Sequence, residues 1–135
     1  MQSVMVLAPY AAVLAGLMVG LSMRVSLARL RTGVSLGVGS DADLLERVRI
    51  FGNFAEWVPM ALGLLVLAAL TGMPTAWLHG LGATLVLARV LHPFGMSAVR
   101  SVTLMRFLGT AATYGVILVA AGWLILAFLA AVGGA

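Results

Sequence analysis

The segment RIFGNFAEWVP, Arg49 to Pro59, holds the densest run of polar chemistry in a chain that is otherwise mostly hydrocarbon. Arg49, Asn53 and Glu56 stand at i, i+4 and i+7, so on a helix they fall within an arc of ~60°. Glu56 then lies ~10 Å deeper along the axis than Arg49. A carboxylate at that depth in a membrane is expensive; such groups face a bundle interior, pair with one another and mark functional sites. Pro59 cannot donate to the carbonyl of Ala55, and its ring crowds that turn, leaving an acceptor free beside Glu56. Three other stretches add polar groups at the same level. Arg89, His92 and Met96 share one helical face, Arg100 and Thr103 share another with Ser101 adjacent, and Arg24 closes the first apolar run.

These types favour recognition of an anion. All eight basic residues are arginine, whose planar, permanently charged fork suits carboxylates, although anionic lipid headgroups would also satisfy it. The chain has no cysteine, which removes disulfides, a thiol nucleophile of its own and a cysteine-ligated metal site. His92 and Glu56 are the only plausible metal ligands and arginines surround them, so no metal site is expected. The plainer reading has Glu56 neutralising Arg49 or Arg89 while the remaining arginines snorkel to headgroups. That suffices for Arg24, Arg29, Arg31 and Arg47. It explains Asn53 and Glu56 less well, because a bundle needing only stability would carry leucine there.

The elements that must position these groups follow from composition. Of 135 residues, 63% are hydrophobic and 9% charged, against roughly 25% charged in a soluble domain. No charge occurs from Gln2 to Met23, from Trp57 to Leu78, or from Phe107 onward. A span needs about 20 apolar residues, and the chain supplies four such segments. The expectation is an all-α, integral membrane four-helix bundle over 1–135, with helices at about 4–31, 43–70, 75–94 and 98–131 and no room for a soluble domain. The first segment lacks the basic start of a signal peptide, so it is expected to stay.

Within the helices, Gly16 and Gly20 form a small-xxx-small pair that permits close packing. The loop TGVSLGVGSDAD is expected to be a flexible connector, with Ser40 as N-cap of the second helix and Asp43 in its first turn. His79 has no partner nearby in sequence and is expected at the membrane interface rather than as a ligand. Arginines flank the first and third loops and are absent from both termini and the second loop. By the positive-inside rule the first and third loops are cytoplasmic and both termini lie opposite.

Arg49, Asn53, Glu56 and Pro59 together resemble the helix 2 signature of the MAPEG family, membrane-associated proteins in eicosanoid and glutathione metabolism. ARVLH, Ala88 to His92, resembles the family's helix 3 motif. RSVT, Arg100 to Thr103, looks like the start of helix 4 in its prostaglandin synthase branch, and Arg24 to Arg49 is similar to the first loop of small bacterial members. The resemblance covers the whole chain and implies a homotrimer with sites between neighbouring subunits near the cytoplasmic face, in a bacterial inner membrane. It implies glutathione as co-substrate, held by Arg24, Arg49, Asn53, Glu56, Arg89 and His92, with Glu56 at its α-amino group. Arg100, with Ser101, would act at the sulfur, where a guanidinium favours the thiolate. The implied activity is transferase or peroxidase chemistry on a lipophilic electrophile or hydroperoxide in the bilayer, with no nucleic-acid partner. Several tyrosines of the animal enzymes are absent: Trp57 follows Glu56, and Met96 and Leu104 stand where some branches carry tyrosine. A catalytically silent binding or scaffold protein that keeps the anion pocket is therefore the alternative. A small drug-efflux transporter is a more distant one, since transporter sites cluster near the midplane.

Overall fold

The computed structural model describes residues 2–95 and 103–133. It is all-helical: α1 (Gln2–Met5), α2 (Ala8–Thr32), α3 (Ala42–Leu70), α4 (Thr75–Phe94) and α5 (Leu104–Gly133). Pro9 starts α2 afresh, because it lacks an N–H to continue the ladder from α1. Ser3–Thr32, Ala42–Leu70 and Leu104–Gly133 are each long and apolar enough to cross a bilayer. The fourth expected span, α4, has the length, since 20 residues reach ~30 Å. Its hydropathy is diluted by His79, Arg89 and His92, and the last two are turned inward and buried.

The bundle is organised on α3, which packs against every other helix. Its buried stripe is Phe54, Val58, Ala61, Leu65 and Ala68, a spacing of i, i+4, i+7, i+11 and i+14 that keeps one face inward. Leu14 from α2, Leu78 and Leu85 from α4, and Val116 and Ala120 from α5 close the core around it. The outward residues are apolar too. Val19, Leu87, Leu118, Ile125 and Phe128 are all exposed, as a surface facing hydrocarbon requires.

The helix ends differ from expectation in three places, each for a local reason. Asp41, not Ser40, caps α3: its carboxylate accepts from the Leu44 N–H at 2.7 Å, and Asp43 pairs with Arg47 at 2.7 Å. The first loop is tied down, because the Arg29 guanidinium donates to the carbonyls of Val34, Ser35 and Gly37 at 3.2, 3.2 and 2.9 Å. Arg29 is thus a loop anchor and not a snorkelling cation. At the other end of the chain, α5 starts at Leu104, and Thr103 lies outside it. The Thr103 hydroxyl accepts from the Arg106 N–H at 3.3 Å and donates to the Gly95 carbonyl at 2.6 Å. It caps α5 and pins it to the end of α4. A helix running from 98 would have placed Thr103 inside the first turns; Ala98 itself lies outside the described residues.

The uncharged turn between α3 and α4 closes on backbone alone. Gly72 takes φ +87°, the left-handed position that glycine fills without strain. Met73 N–H reaches Ala68 O at 2.9 Å and Gly72 N–H reaches Ala69 O at 3.3 Å, the paired bonds of a Schellman motif.

Candidate functional site

The polar residues divide into an inner cluster and an outer face. At the centre of the inner cluster is Arg89 of α4, 2% exposed. It donates to Asn53 Oδ1 of α3 at 3.0 Å and to the Gly109 carbonyl of α5 at 3.0 Å. It also donates to the Thr113 hydroxyl, which in turn donates to Gly109 O at 2.8 Å. One arginine therefore ties three helices together. A guanidinium carries five N–H donors, and here Nε has no partner among the described residues.

Close approach of α4 and α5 makes this possible. A Cβ on Gly109 would stand 2.9 Å from the Ala88 carbonyl oxygen and 3.1 Å from His92 Cβ. Glycine thus lets the two backbones meet and brings the Gly109 carbonyl within reach of Arg89. His92 is buried one turn beyond, at 3% exposure, against the same stretch of α5.

The outer face belongs to α3. Arg49 and Glu56 are exposed, whereas Ile50, Phe54 and Val58 between and beyond them are buried. Glu56 therefore points away from the core of the bundle, on a helix long and apolar enough to span the membrane. It makes no hydrogen bond or ion pair among the described residues, so the pairing of Glu56 with Arg49 or Arg89 does not form. Asn53 lies between the two regions and is half-buried. Arg24 is exposed on α2, likewise turned out of the bundle.

Of the residues singled out by sequence, the structure joins Arg89 directly to Asn53 and places His92 in the same inner region. It puts Arg24, Arg49 and Glu56 on outward surfaces. Arg100 and Ser101, and Met96 with them, lie outside the described residues. Sequence reasoning missed Gly109 and Thr113. Their i, i+4 spacing inside an uncharged span is a usable signal, since it stacks a bare carbonyl under a hydroxyl on one ridge. It also missed the partner of His79, whose Nδ1 lies 2.7 Å from the Tyr10 hydroxyl across α2 and α4. The rings meet edge-on at 5.9 Å between centroids.

At the opposite end of the bundle an open groove of about 360 Å³ is lined by Met73, Trp77, Val119, Gly122, Trp123 and Leu126. That lining has no titratable group, so it offers no chemistry comparable with the arginine end.

What the cluster and the outer face can do is bind. Together they gather cations, one carboxylate and one amide toward one end of the bundle. Comparison with known proteins bears on what that arrangement is for. The sequence profile of the MAPEG family matches residues 7–126. The chain is 33% identical over 91 residues to the inner membrane protein YecN of Escherichia coli strain K12, covering 67% of this chain and 70% of that protein. The same figures hold for YecN of Escherichia coli O6:H1. No solved structure matches the chain.

Proposed function

Because this chain belongs to the MAPEG family, we propose that it is a membrane-embedded glutathione-dependent protein of transferase or peroxidase type. Its proposed substrates are lipophilic electrophiles or hydroperoxides. One observation supports this reading above the others: Glu56 is exposed, has no hydrogen bond or ion pair among the described residues, faces away from its own core, and sits inside a helix long and apolar enough to span the membrane. A carboxylate directed at lipid tails is not a stable arrangement. A neighbouring subunit that covers this face, and a charged ligand held in the gap, would remove the conflict.

In this reading three copies assemble so that the outer face of α3 lines a site between subunits. Glu56 takes the ammonium of glutathione, and Arg49, Arg24 and the Asn53 amide take its carboxylates. The thiol lies near Arg100 and Ser101. A cysteine thiol titrates near 8.5 in water, and an adjacent guanidinium favours the thiolate, which is the nucleophile. The hydrocarbon around the site supplies the second reactant, since lipophilic electrophiles concentrate there. The membrane is an inner one, in keeping with the name of the relatives, and the arginine distribution supports arginine-flanked loops on its cytoplasmic side with both termini opposite.

A second reading is a binding protein without turnover. It is favoured by the burial of Arg89 and His92 against their own subunit, which withdraws two of the expected ligand contacts from the outer face.

Thermal unfolding of the detergent-purified protein with and without glutathione tests the proposal. A ligand selective for the folded state stabilises it by about 2.7 kcal/mol at a hundredfold excess over Kd. A shift present in the wild type and lost in Glu56→Ala supports a glutathione site on this face. No shift in the wild type well above millimolar glutathione removes glutathione as the ligand. Conjugation of a nitro-activated aryl halide, measured on the same preparation, separates the enzyme from the silent binder.

A further inference from the structure

We propose that Arg89 is a positioning residue. Its task is to fix the orientation of the Asn53 amide, and Thr113 and Gly109 are the residues that hold it in place. The inference rests on the reading above, in which the outer face of α3 is the ligand site. It changes the part Arg89 plays there, from a ligand contact to a support behind one.

The argument is one of donors and acceptors. Arginine only donates, so the Asn53 atom 3.0 Å from Arg89 Nη1 is the carbonyl oxygen. The amide –NH2 must then point the other way. Asn53 is half-buried between inward Phe54 and outward Glu56, and we assign that other way to the outer face. An asparagine without such a partner is free to turn its amide over and exchange acceptor for donor. Arg89 removes this freedom, and the outer face carries two kinds of donor, Arg49 and the Asn53 amide, beside one acceptor, Glu56. A donor held at this point selects a ligand that brings a carboxylate to it.

Arg89 is itself held by a polarity that cannot reverse. The Thr113 hydroxyl is fully buried and donates to Gly109 O, so its remaining lone pairs are acceptors directed at Arg89. The Gly109 carbonyl accepts from Thr113 and from Arg89. The chain of bonds runs in one direction, from Arg89 to Asn53 on one side and from Arg89 through Thr113 to Gly109 on the other. Nε has no partner among the described residues, so within them the guanidinium is placed by these acceptors and not by full satisfaction of its own donors. Burial at 2% exposure keeps it from reaching a ligand on the outer face.

The test uses the full chain in detergent and four variants, Asn53→Asp, Asn53→Leu, Thr113→Val and Thr113→Ser, with unfolding temperature and glutathione midpoint as readouts. In Asn53→Asp a carboxylate oxygen still accepts from Arg89, while the outward donor becomes an acceptor. It should unfold at or above the wild-type temperature and lose the glutathione shift. Asn53→Leu should unfold at a lower temperature and also lose the shift. Thr113→Val, far from any ligand, should raise the glutathione midpoint several-fold, and Thr113→Ser should restore it. The inference is overturned if Asn53→Asp unfolds as low as Asn53→Leu, if Asn53→Asp binds glutathione as the wild type does, or if Thr113→Val leaves the midpoint unchanged. A wild type that shows no glutathione shift sinks the proposed function instead; the two Asn53 variants then still decide, by stability alone, whether Arg89 has the amide oxygen as its partner.

Discussion

Gly109→Ala should destabilise the protein although alanine is the better helix former. The added Cβ would stand 2.9 Å from the Ala88 carbonyl oxygen, where ordinary contact begins at 3.4 Å. Both neighbours are backbone or near-backbone atoms, so α5 must retreat from α4 by a few tenths of an ångström. The Arg89 bond to Gly109 O, now 3.0 Å, lengthens with it. Overpacking of this kind costs about 1–3 kcal/mol, and loss of a hydrogen bond from a charged donor about 1.5–3 kcal/mol. Helix propensity returns about 1 kcal/mol for glycine replaced by alanine. The net is roughly 1.5–5 kcal/mol of destabilisation, measurable as a shifted unfolding midpoint in mixed micelles. Gly115 provides the control, because its Cβ would meet nothing within 4 Å. Gly115→Ala should be neutral or stabilising by up to about 1 kcal/mol. If Gly109→Ala proves as stable as Gly115→Ala, then α4 and α5 are not in contact at this point, and the three-helix role of Arg89 fails with it.

Other perturbations test separate contacts. Asp41→Ala removes the side-chain cap of α3 and should lower stability by about 1 kcal/mol, while Ser40→Ala should do nothing measurable by the same unfolding assay. Tyr10→Phe breaks the bond to His79; as an exposed contact it should cost about 0.5 kcal/mol, read from the same midpoint. Gly82→Ala would place a Cβ 2.7 Å from Tyr10 Cδ2 and push that ring off His79. Combined with Tyr10→Phe, it should cost less than the two single changes summed, and full additivity in this cycle would show that the ring does not move.

Much of the bundle is legible in the sequence because the bilayer admits few solutions. Uncharged runs of sufficient length must be helices, and α4 runs Thr75–Phe94 behind Pro74, with Pro93 inside it. The ends of the other helices depend on which of two adjacent residues wins a cap. Ser40 and Asp41 are both good caps, and only the three-dimensional path of the loop, drawn in by Arg29, decides between them. The site is half legible for a related reason. Periodicity puts Arg49, Asn53 and Glu56 on one arc, yet a 60° arc straddles the line between inside and outside. Asn53 falls on one side of it and Glu56 on the other. Which side each takes is set by the partner helix, and that partner is chosen by Gly109 and Thr113, residues whose types carry no chemical signal by themselves.

The inward turn of Arg89 also constrains how the chain reaches the membrane. An arginine raises the cost of inserting an isolated helix, and α4 carries His92 besides, which leaves it the weakest of the four segments as a solitary passenger. Asn53 on α3 precedes it in synthesis and is joined to it by a short uncharged turn. The two are therefore best delivered as a hairpin, with Arg89 already leaning on the Asn53 amide while its other acceptors are still unmade. Only when α5 arrives do Gly109 and Thr113 take their share, and until then the nascent protein carries a half-satisfied cation in its interior. Docking of α5 is therefore what completes the acceptors of Arg89.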